Sequence, residues 1–290
     1  MRALGAARGG DARVAAKPGI RRVAGRAERD LVGKVLSIVS QKGGVGKTTS
    51  AVNLAAAFAR RGMKTLLVDV DPQGSVRFGV GLRQGVDTRG FADYLRGART
   101  LREVILPTAL PWLRVMLVGT VTDGADHSDY QARVAASDLL PRMLQAARER
   151  CDVVVVDTPP GLGPIARRVL ESTDRVLVPM QAEPLALQTT PQILRSIQDV
   201  VASHPALTLD GLLMTMYEAG NPACERTVKY VREHLPAAMV CDIMIPRSYA
   251  LAEAFAAGQP AVVRDPADPA SQAYVNLALR VAERLSAETE

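Results

Sequence analysis

The stretch SQKGGVGKTTS, residues Ser40 to Ser50, carries a glycine-rich turn, two lysines five positions apart and a pair of threonines. It follows KVLSIVS (Lys34 to Ser40), which is nearly continuous in Val, Leu and Ile, as a strand covered on both faces requires. It runs into TTSAVNLAAAFARRG (Thr48 to Gly62), where Val52, Ala55, Ala56 and Ala59 recur at helical spacing and the closing glycine suits a left-handed cap. A glycine-rich turn between strand and helix aims backbone N–H groups and the positive end of the helix dipole at an anion. The candidates for phosphate contact are Lys42, Gly43, Gly44, Val45, Gly46, Lys47, Thr48 and Thr49. The common phosphate loop, G-x-x-x-x-G-K-S/T, has its first glycine where this sequence has Gln41. The loop is therefore a variant, and Lys42 stands where the common form leaves the residue unspecified.

Outward from the loop, short apolar runs alternate with longer amphipathic ones. TLLVDVD (Thr65 to Asp71), LRVMLVG (Leu113 to Gly119), CDVVVVD (Cys151 to Asp157), DRVLVPM (Asp174 to Met180) and LTLDGLLMTM (Leu207 to Met216) read as strands. DYQARVAASDLLPRMLQAARER (Asp129 to Arg150) reads as one long helix kinked at Pro141. Further helices are expected over Leu185 to Ser203, Pro222 to Leu235 and Ser271 to Ser286, the second opened by Asn221 as cap and Pro222 at the first helical position. Alternation of this kind predicts an α/β fold, a doubly wound, mostly parallel sheet with helices on both faces and ligands at the carboxyl ends of the strands.

Composition bounds what such a chain does. With 290 residues and 48% hydrophobic content it can bury a large core, and no apolar run reaches the roughly 18 residues of a membrane span. Three well-separated cysteines, Cys151, Cys224 and Cys241, argue against a disulfide framework or a zinc ribbon and fit a reducing cytoplasm. Of the net charge of +6, the first 33 residues supply eight Lys/Arg against three Asp/Glu, so the rest is nearly neutral. Residues 1–33 read as a flexible basic segment: a nucleic-acid-binding arm, a targeting segment, or the product of a start codon placed too far upstream. Residues 34–290 read as one domain.

Two acidic segments belong to the same site. LLVDVDPQG ends a strand on Asp69 and Asp71, and VVVVDTPPG ends a four-valine strand on Asp157. A carboxylate ending a buried strand beside a phosphate loop is the Walker B arrangement, in which Asp157 would hold Mg²⁺ through a water while the Thr48 hydroxyl ligates it directly. Either aspartate alone is common turn chemistry; the three segments together, each on its own strand, are specific.

These segments, with LLMTMYEAGN and MIPRSYALAEAFAAGQP further on, resemble the ParA/MinD group of deviant Walker A ATPases, most closely the ParA (Soj-type) partition proteins. The resemblance covers about Lys34 to Arg284. It implies ATP and Mg²⁺ as cofactors, an ATP-dependent homodimer with the nucleotides at its interface, non-specific DNA binding, and slow hydrolysis stimulated by a ParB-like partner to segregate chromosome or plasmid DNA. It also implies that Lys42 reaches the phosphates bound by the other subunit, that Asp71 positions the attacking water, and that Thr158 to Gly161 sense the γ-phosphate. Relatives read the adenine with a PRN turn; here Pro246 and Arg247 are followed by Ser248, which leaves Pro246 and Arg247 as contacts and removes the asparagine. Met216 packs either on the base or in the core. The same machinery positions protein cargo in some relatives, and an ATP-gated binding module with little turnover is the second class of reading.

The branch is decided by DPQG, which is the ParA form, and by the last helix. Its spacing of Tyr274, Leu277, Ala278, Val281 and Leu285 suits core packing, and its SAETE ending is not that of a basic membrane-docking helix. Cys151 reads as a small buried residue, not a cluster ligand. Arg195, and Arg226, Lys229 and Arg232 on one broad side of the next helix, are the DNA-binding candidates, interrupted by Glu225 and Glu233. The expected location is the cytoplasm, on the nucleoid, without membrane association.

Overall fold

A computed structural model describes residues 33–82, 89–122 and 124–287. The basic segment expected over residues 1–33 lies outside the described residues except for Gly33. Seven strands form one sheet: β1 (Lys34–Ile38), β2 (Thr65–Asp69), β3 (Ile105–Pro107), β4 (Leu113–Met116), β5 (Val153–Asp157), β6 (Arg175–Gln181) and β7 (Thr208–Thr215), in the order β3-β4-β2-β5-β1-β6-β7. All neighbours are parallel except the short edge strand β3, which pairs antiparallel with β4. The helices among the described residues are α1 (Lys47–Arg60), α2 (Val76–Gly79), α3 (Phe91–Leu95), α4 (Leu101–Val104), α5 (Ala125–Ala136), α6 (Leu139–Arg148), α7 (Pro164–Leu170), α8 (Pro184–Ser203), α9 (Pro222–His234), α10 (Tyr249–Ala256), α11 (Ala261–Arg264) and α12 (Pro269–Ala287).

The four valines of β5 show why the sequence reads as a continuous apolar run. Val153 and Val155 point into the layer containing Phe58 of α1 and Leu277 and Val281 of α12, while Val154 and Val156 point into the opposite layer with Leu140, Met143 and Leu144 of α6. Each is fully buried, which stabilises the fold by roughly 1.5–3 kcal/mol per side chain. A third cluster, around Val176, Val178 and Met214, lies under α8 and α9. The last helix packs on α1 as its spacing predicts: Tyr274, Leu277, Ala278, Val281 and Leu285 are all buried, and the Tyr274 hydroxyl meets Ser50 Oγ at 3.0 Å. Arg284 ties its far end to β7, donating to Asp210 O at 2.7 Å. Among the described residues, no helix is long and apolar enough to cross a membrane.

Two expectations are corrected. The long helix over Asp129 to Arg150 is two helices, α5 and α6, broken at Ser137 and Asp138. Pro141 lies in the first turn of α6, where its missing N–H has no intrahelical acceptor to lose, so it starts a helix instead of kinking one. Cys151 is half-buried, not buried, and burial pushes its thiol up to about 11, which keeps it protonated.

Candidate functional site

The order β2-β5-β1 puts the three motifs on adjacent strands, with Asp157 between the loop after β1 and the acids after β2. In register, Ile38 pairs with Asp157 and Asp157 with Asp69. The loop turns into α1 through Gly46, the residue before the helix, at φ +86°. A side chain is strained in that left-handed conformation, and glycine is not. Gly43 and Gly44 are exposed with nothing near the position a Cβ would take, so that stretch of backbone is open to an incoming group.

The loop is stitched to its surroundings. Ser40 Oγ donates to Lys42 O at 2.7 Å, and the Lys47 ammonium donates to the same carbonyl at 3.3 Å. Thr215 Oγ1, at the end of β7, is 2.9 Å from Val45 O. On the other side, Thr158 Oγ1 donates to Ile38 O at 2.8 Å and Gly161 N–H to Ser40 O at 2.8 Å, which fastens the segment after β5 to the foot of the loop. Lys42 itself is half-buried.

Two aspartates act on one lysine. Lys47 is 7% exposed; burial lowers its pKa, opposed by the charges of Asp157 and Asp71. Asp157 is fully buried, and burial pushes its carboxyl up to about 7, opposed by the hydrogen bond from Thr48 and the charge of Lys47. Thr48 Oγ1 donates to Asp157 Oδ2 at 2.7 Å, whereas Asp157 Oδ1 is buried without a hydrogen-bond partner. A buried carboxylate oxygen left in this way is costly unless something else meets it. Asp71 is 7% exposed, and its Oδ1 accepts from Gln73 N–H at 3.0 Å.

Asp69, which sequence reasoning gave no role of its own, shapes the turn. Its two oxygens accept from Asp71 N–H at 3.0 Å and Val76 N–H at 3.2 Å, so it folds the DPQG turn and starts α2. Burial, with the charges of Asp157 and Asp71, holds its pKa well above the ordinary carboxylate range. Tyr130 of α5, also fully buried, donates to Val70 O at 3.1 Å and braces the same turn.

A cavity of about 550 Å³ opens beside Gly46 and Thr49, and Met216, Pro246 and Arg247 all line it. Met216 sits at φ +52°. The chain there is held to the next segment by Tyr217 N–H on Ile245 O and Arg247 N–H on Tyr217 O. Arg247 is ion-paired with Glu218. Sequence reasoning missed the rest of the wall: Tyr249, Leu251 and Phe255 of α10. The available signal was Ser248 as an N-cap, followed by apolar residues at helical spacing; its Oγ accepts from Ala250 N–H at 3.1 Å.

The basic candidates lie elsewhere. Arg226, Lys229 and Arg232 are exposed on α9, which packs against α8 bearing the exposed Arg195. The Arg195 Nε donates to Pro191 O at 3.3 Å, and Lys229 lies 3.8 Å from Glu233. Nothing in this arrangement brings these residues to the phosphate loop.

Residues 33–209 match the model of a family described as an AAA domain. Over 270 residues the chain is 32% identical to the chromosome partitioning protein ParA of Myxococcus xanthus, spanning 90% of this chain and 92% of that one. The chain belongs to the ParA/MinD family of P-loop ATPases. Solved structures agree with that placement. The cell division ATPase MinD of Pyrococcus furiosus superposes with a TM-score of 0.68 at 25% identity, covering 87% of this ParA-family chain and 99% of MinD. Cobyrinic acid a,c-diamide synthase of Mycobacterium smegmatis, solved with a bound ATP analog and magnesium, gives 0.69 at 28% identity, covering 85% of this chain and 93% of that one. The mostly parallel, doubly wound sheet expected from the sequence is thus the fold of the family.

Proposed function

We propose that this chain is a partition ATPase that forms an ATP-dependent homodimer, binds DNA non-specifically and hydrolyses ATP when a ParB-like partner stimulates it. The observation that carries the reading is the convergence of Lys47, Thr48, Asp71 and Asp157 at the carboxyl ends of β1, β2 and β5, with one buried Asp157 oxygen unpartnered. That oxygen, beside the Thr48 hydroxyl, fits Mg²⁺ held directly by Thr48 and through water by Asp157. Bound there, the ion supplies positive charge to the phosphate oxygens. The M. smegmatis relative, solved with an ATP analog and magnesium, supports ATP and Mg²⁺ as the cofactors of this chain.

The chain's own groups do the rest. The N–H groups opening α1 cradle the phosphates. Lys47 releases the Lys42 carbonyl and neutralises charge on the β and γ phosphates. Asp71 orients the attacking water and takes its proton, from a turn that Asp69 holds rigid. Lys42, carried to the partner subunit's phosphates, makes dimerisation part of the reaction. Exposed Arg195, Arg226, Lys229 and Arg232 meet DNA phosphates, which places the working protein on the nucleoid in the cytoplasm.

The test is ATP turnover alone, with DNA, and with DNA plus the partner. Wild type accelerates only when all components are present. Asp71→Ala binds ATP and DNA but loses turnover by roughly 100-fold or more, the usual contribution of a general base. Tight ATP binding without hydrolysis in every mixture would instead mark an ATP-gated binding module.

A further inference from the structure

At the amino end of the sheet, away from the phosphate loop, the turn between β3 and β4 holds the single tryptophan of the chain. Trp112 stands at φ +69°, a left-handed conformation that is an outlier for so bulky a residue. The turn fixes it there. Trp112 O accepts from Thr65 N–H at 2.8 Å, Leu113 N–H donates to Leu110 O at 3.2 Å, and Thr108 Oγ1 lies 3.2 Å from Leu110 O and 3.1 Å from Leu113 O. Strain of this kind persists only where the surroundings over-determine it, and it gathers at functional positions. The ring is 45% exposed, so burial in the core does not account for it. Pro107, Ala109 and Pro111, on the same turn, are exposed as well.

The rim of this turn is basic. Arg61 and Lys64 lie on the connection from α1 to β2, whose Thr65 binds Trp112, and Arg114 follows in β4, in register with Leu66. All three are exposed, and among the described residues none of their side chains is in an ion pair. Asp152 is the carboxylate tied to this end, accepting from Lys64 N–H at 2.7 Å, and it leaves the cations in excess.

An exposed indole among unpaired cations suits two anionic partners, a nucleic acid and an acidic polypeptide. A single strand of nucleic acid stacks successive bases on successive rings, and a duplex keeps its base faces covered by their neighbours. Here the ring stands by itself: the other exposed large aromatic side chains described, Phe78, Tyr230 and Tyr249, belong to α2, α9 and α10. The sheet order also puts β3 and β4 at the edge opposite β7, remote from the basic face of α8 and α9. An acidic segment needs one anchor. An apolar side chain packs on the indole, and flanking carboxylates meet Lys64 and Arg114, the latter in bidentate geometry. A turn held by two prolines and its own hydrogen bonds has little freedom left to lose on binding.

We infer that the turn between β3 and β4 is a docking site for an acidic peptide segment of a partner protein, with Trp112 as its anchor. The surface is separate from the nucleotide site and does not depend on ATP being its ligand.

The experiment is selection of displayed random dodecapeptides on the full chain, with Trp112→Asn and Arg114→Glu as counter-targets, followed by titration of the enriched peptides. Emission from the single tryptophan reports contact directly. Wild type is expected to enrich peptides of net negative charge that change Trp112 emission and bind more weakly as salt rises. Trp112→Asn and Arg114→Glu each weaken binding of the labelled peptides by about tenfold or more. Asparagine tolerates the left-handed conformation, so Trp112→Asn keeps wild-type ATP affinity and melts within about 5 °C of wild type. Enrichment without a bias to acidic sequences, equal peptide binding by wild type and Trp112→Asn, or tighter binding of oligo(dT) or duplex DNA at Trp112 than of the peptides would each overturn the inference. So would a Trp112→Asn variant that melts far below wild type, because the ring would then be a structural element.

Discussion

Replacing Asp157 by asparagine should stabilise the ligand-free protein while removing its response to Mg²⁺ and ATP. Burial raises the Asp157 carboxyl from its ordinary 3.8 to about 7. A rise of about three units corresponds to roughly 4 kcal/mol at 1.36 kcal/mol per unit. The folded state therefore holds a proton that the unfolded state has lost between those two values, and stability falls as pH rises through that window, levelling off above about 7. Asparagine has no charge to bury. Its oxygen can still accept from Thr48 Oγ1, but its amide places a donor where Asp157 Oδ1 has no partner, a cost of about 1–3 kcal/mol. The net gain at pH 8 is about 2 kcal/mol, or roughly 4–8 °C in melting temperature for a domain of this size. The assay is thermal unfolding of wild type and Asp157→Asn from pH 4 to pH 8, with and without Mg²⁺ and ATP. The ligand-free difference should grow from below zero near pH 4, where only the amide cost is left, to its full value above about 7, and Mg²⁺ with ATP should raise wild type only. A variant less stable than wild type at pH 8, or a difference that does not vary with pH, would refute the reasoning.

Three other outcomes follow from the same geometry. Lys42→Gln keeps the Lys42 carbonyl that Ser40 and Lys47 use, so ATP binding by titration should be retained while partner-stimulated hydrolysis is lost. Changing Arg226, Lys229 and Arg232 together to alanine should weaken DNA binding and flatten its dependence on log salt by up to about 0.9 for each phosphate no longer neutralised, leaving ATP affinity unchanged. Gly81→Ala sets a side chain at φ +73° with its Cβ 2.7 Å from Gly258 O, and should cost about 2 kcal/mol in denaturant unfolding.

The phosphate loop, Asp71 and Asp157 were legible as candidates because each lies at the end of an apolar strand run, and the sheet order then brings the strand ends together. The break between α5 and α6 was not, because it turns on Ser137, whose Oγ accepts from Leu139 N–H at 3.0 Å, a weaker signal than the proline that follows. The edge strand β3 is three residues long, too short for alternation to register. Met216, Pro246 and Arg247 were found through a motif, whereas α10 was missed: its side of the cavity is built from ordinary apolar residues that become a wall only when α10 packs on α2, with Phe255 near Gly79. The resemblance singles out Asp71, whereas the part of Asp69 in folding the turn depends on its hydrogen bonds from Asp71 N–H and Val76 N–H, which the sequence does not display.

The carboxyl groups of Asp71 and Asp157 beside Lys47 have a bearing on the salt form of the nucleotide. A triphosphate stripped of metal brings its full negative charge toward Asp71 and Asp157, and the single buried ammonium of Lys47 offsets only part of it. A triphosphate arriving with its divalent counter-ion carries much of the compensation with it. In the proposed reaction the pair would thus favour the metal-complexed polyanion over the naked one.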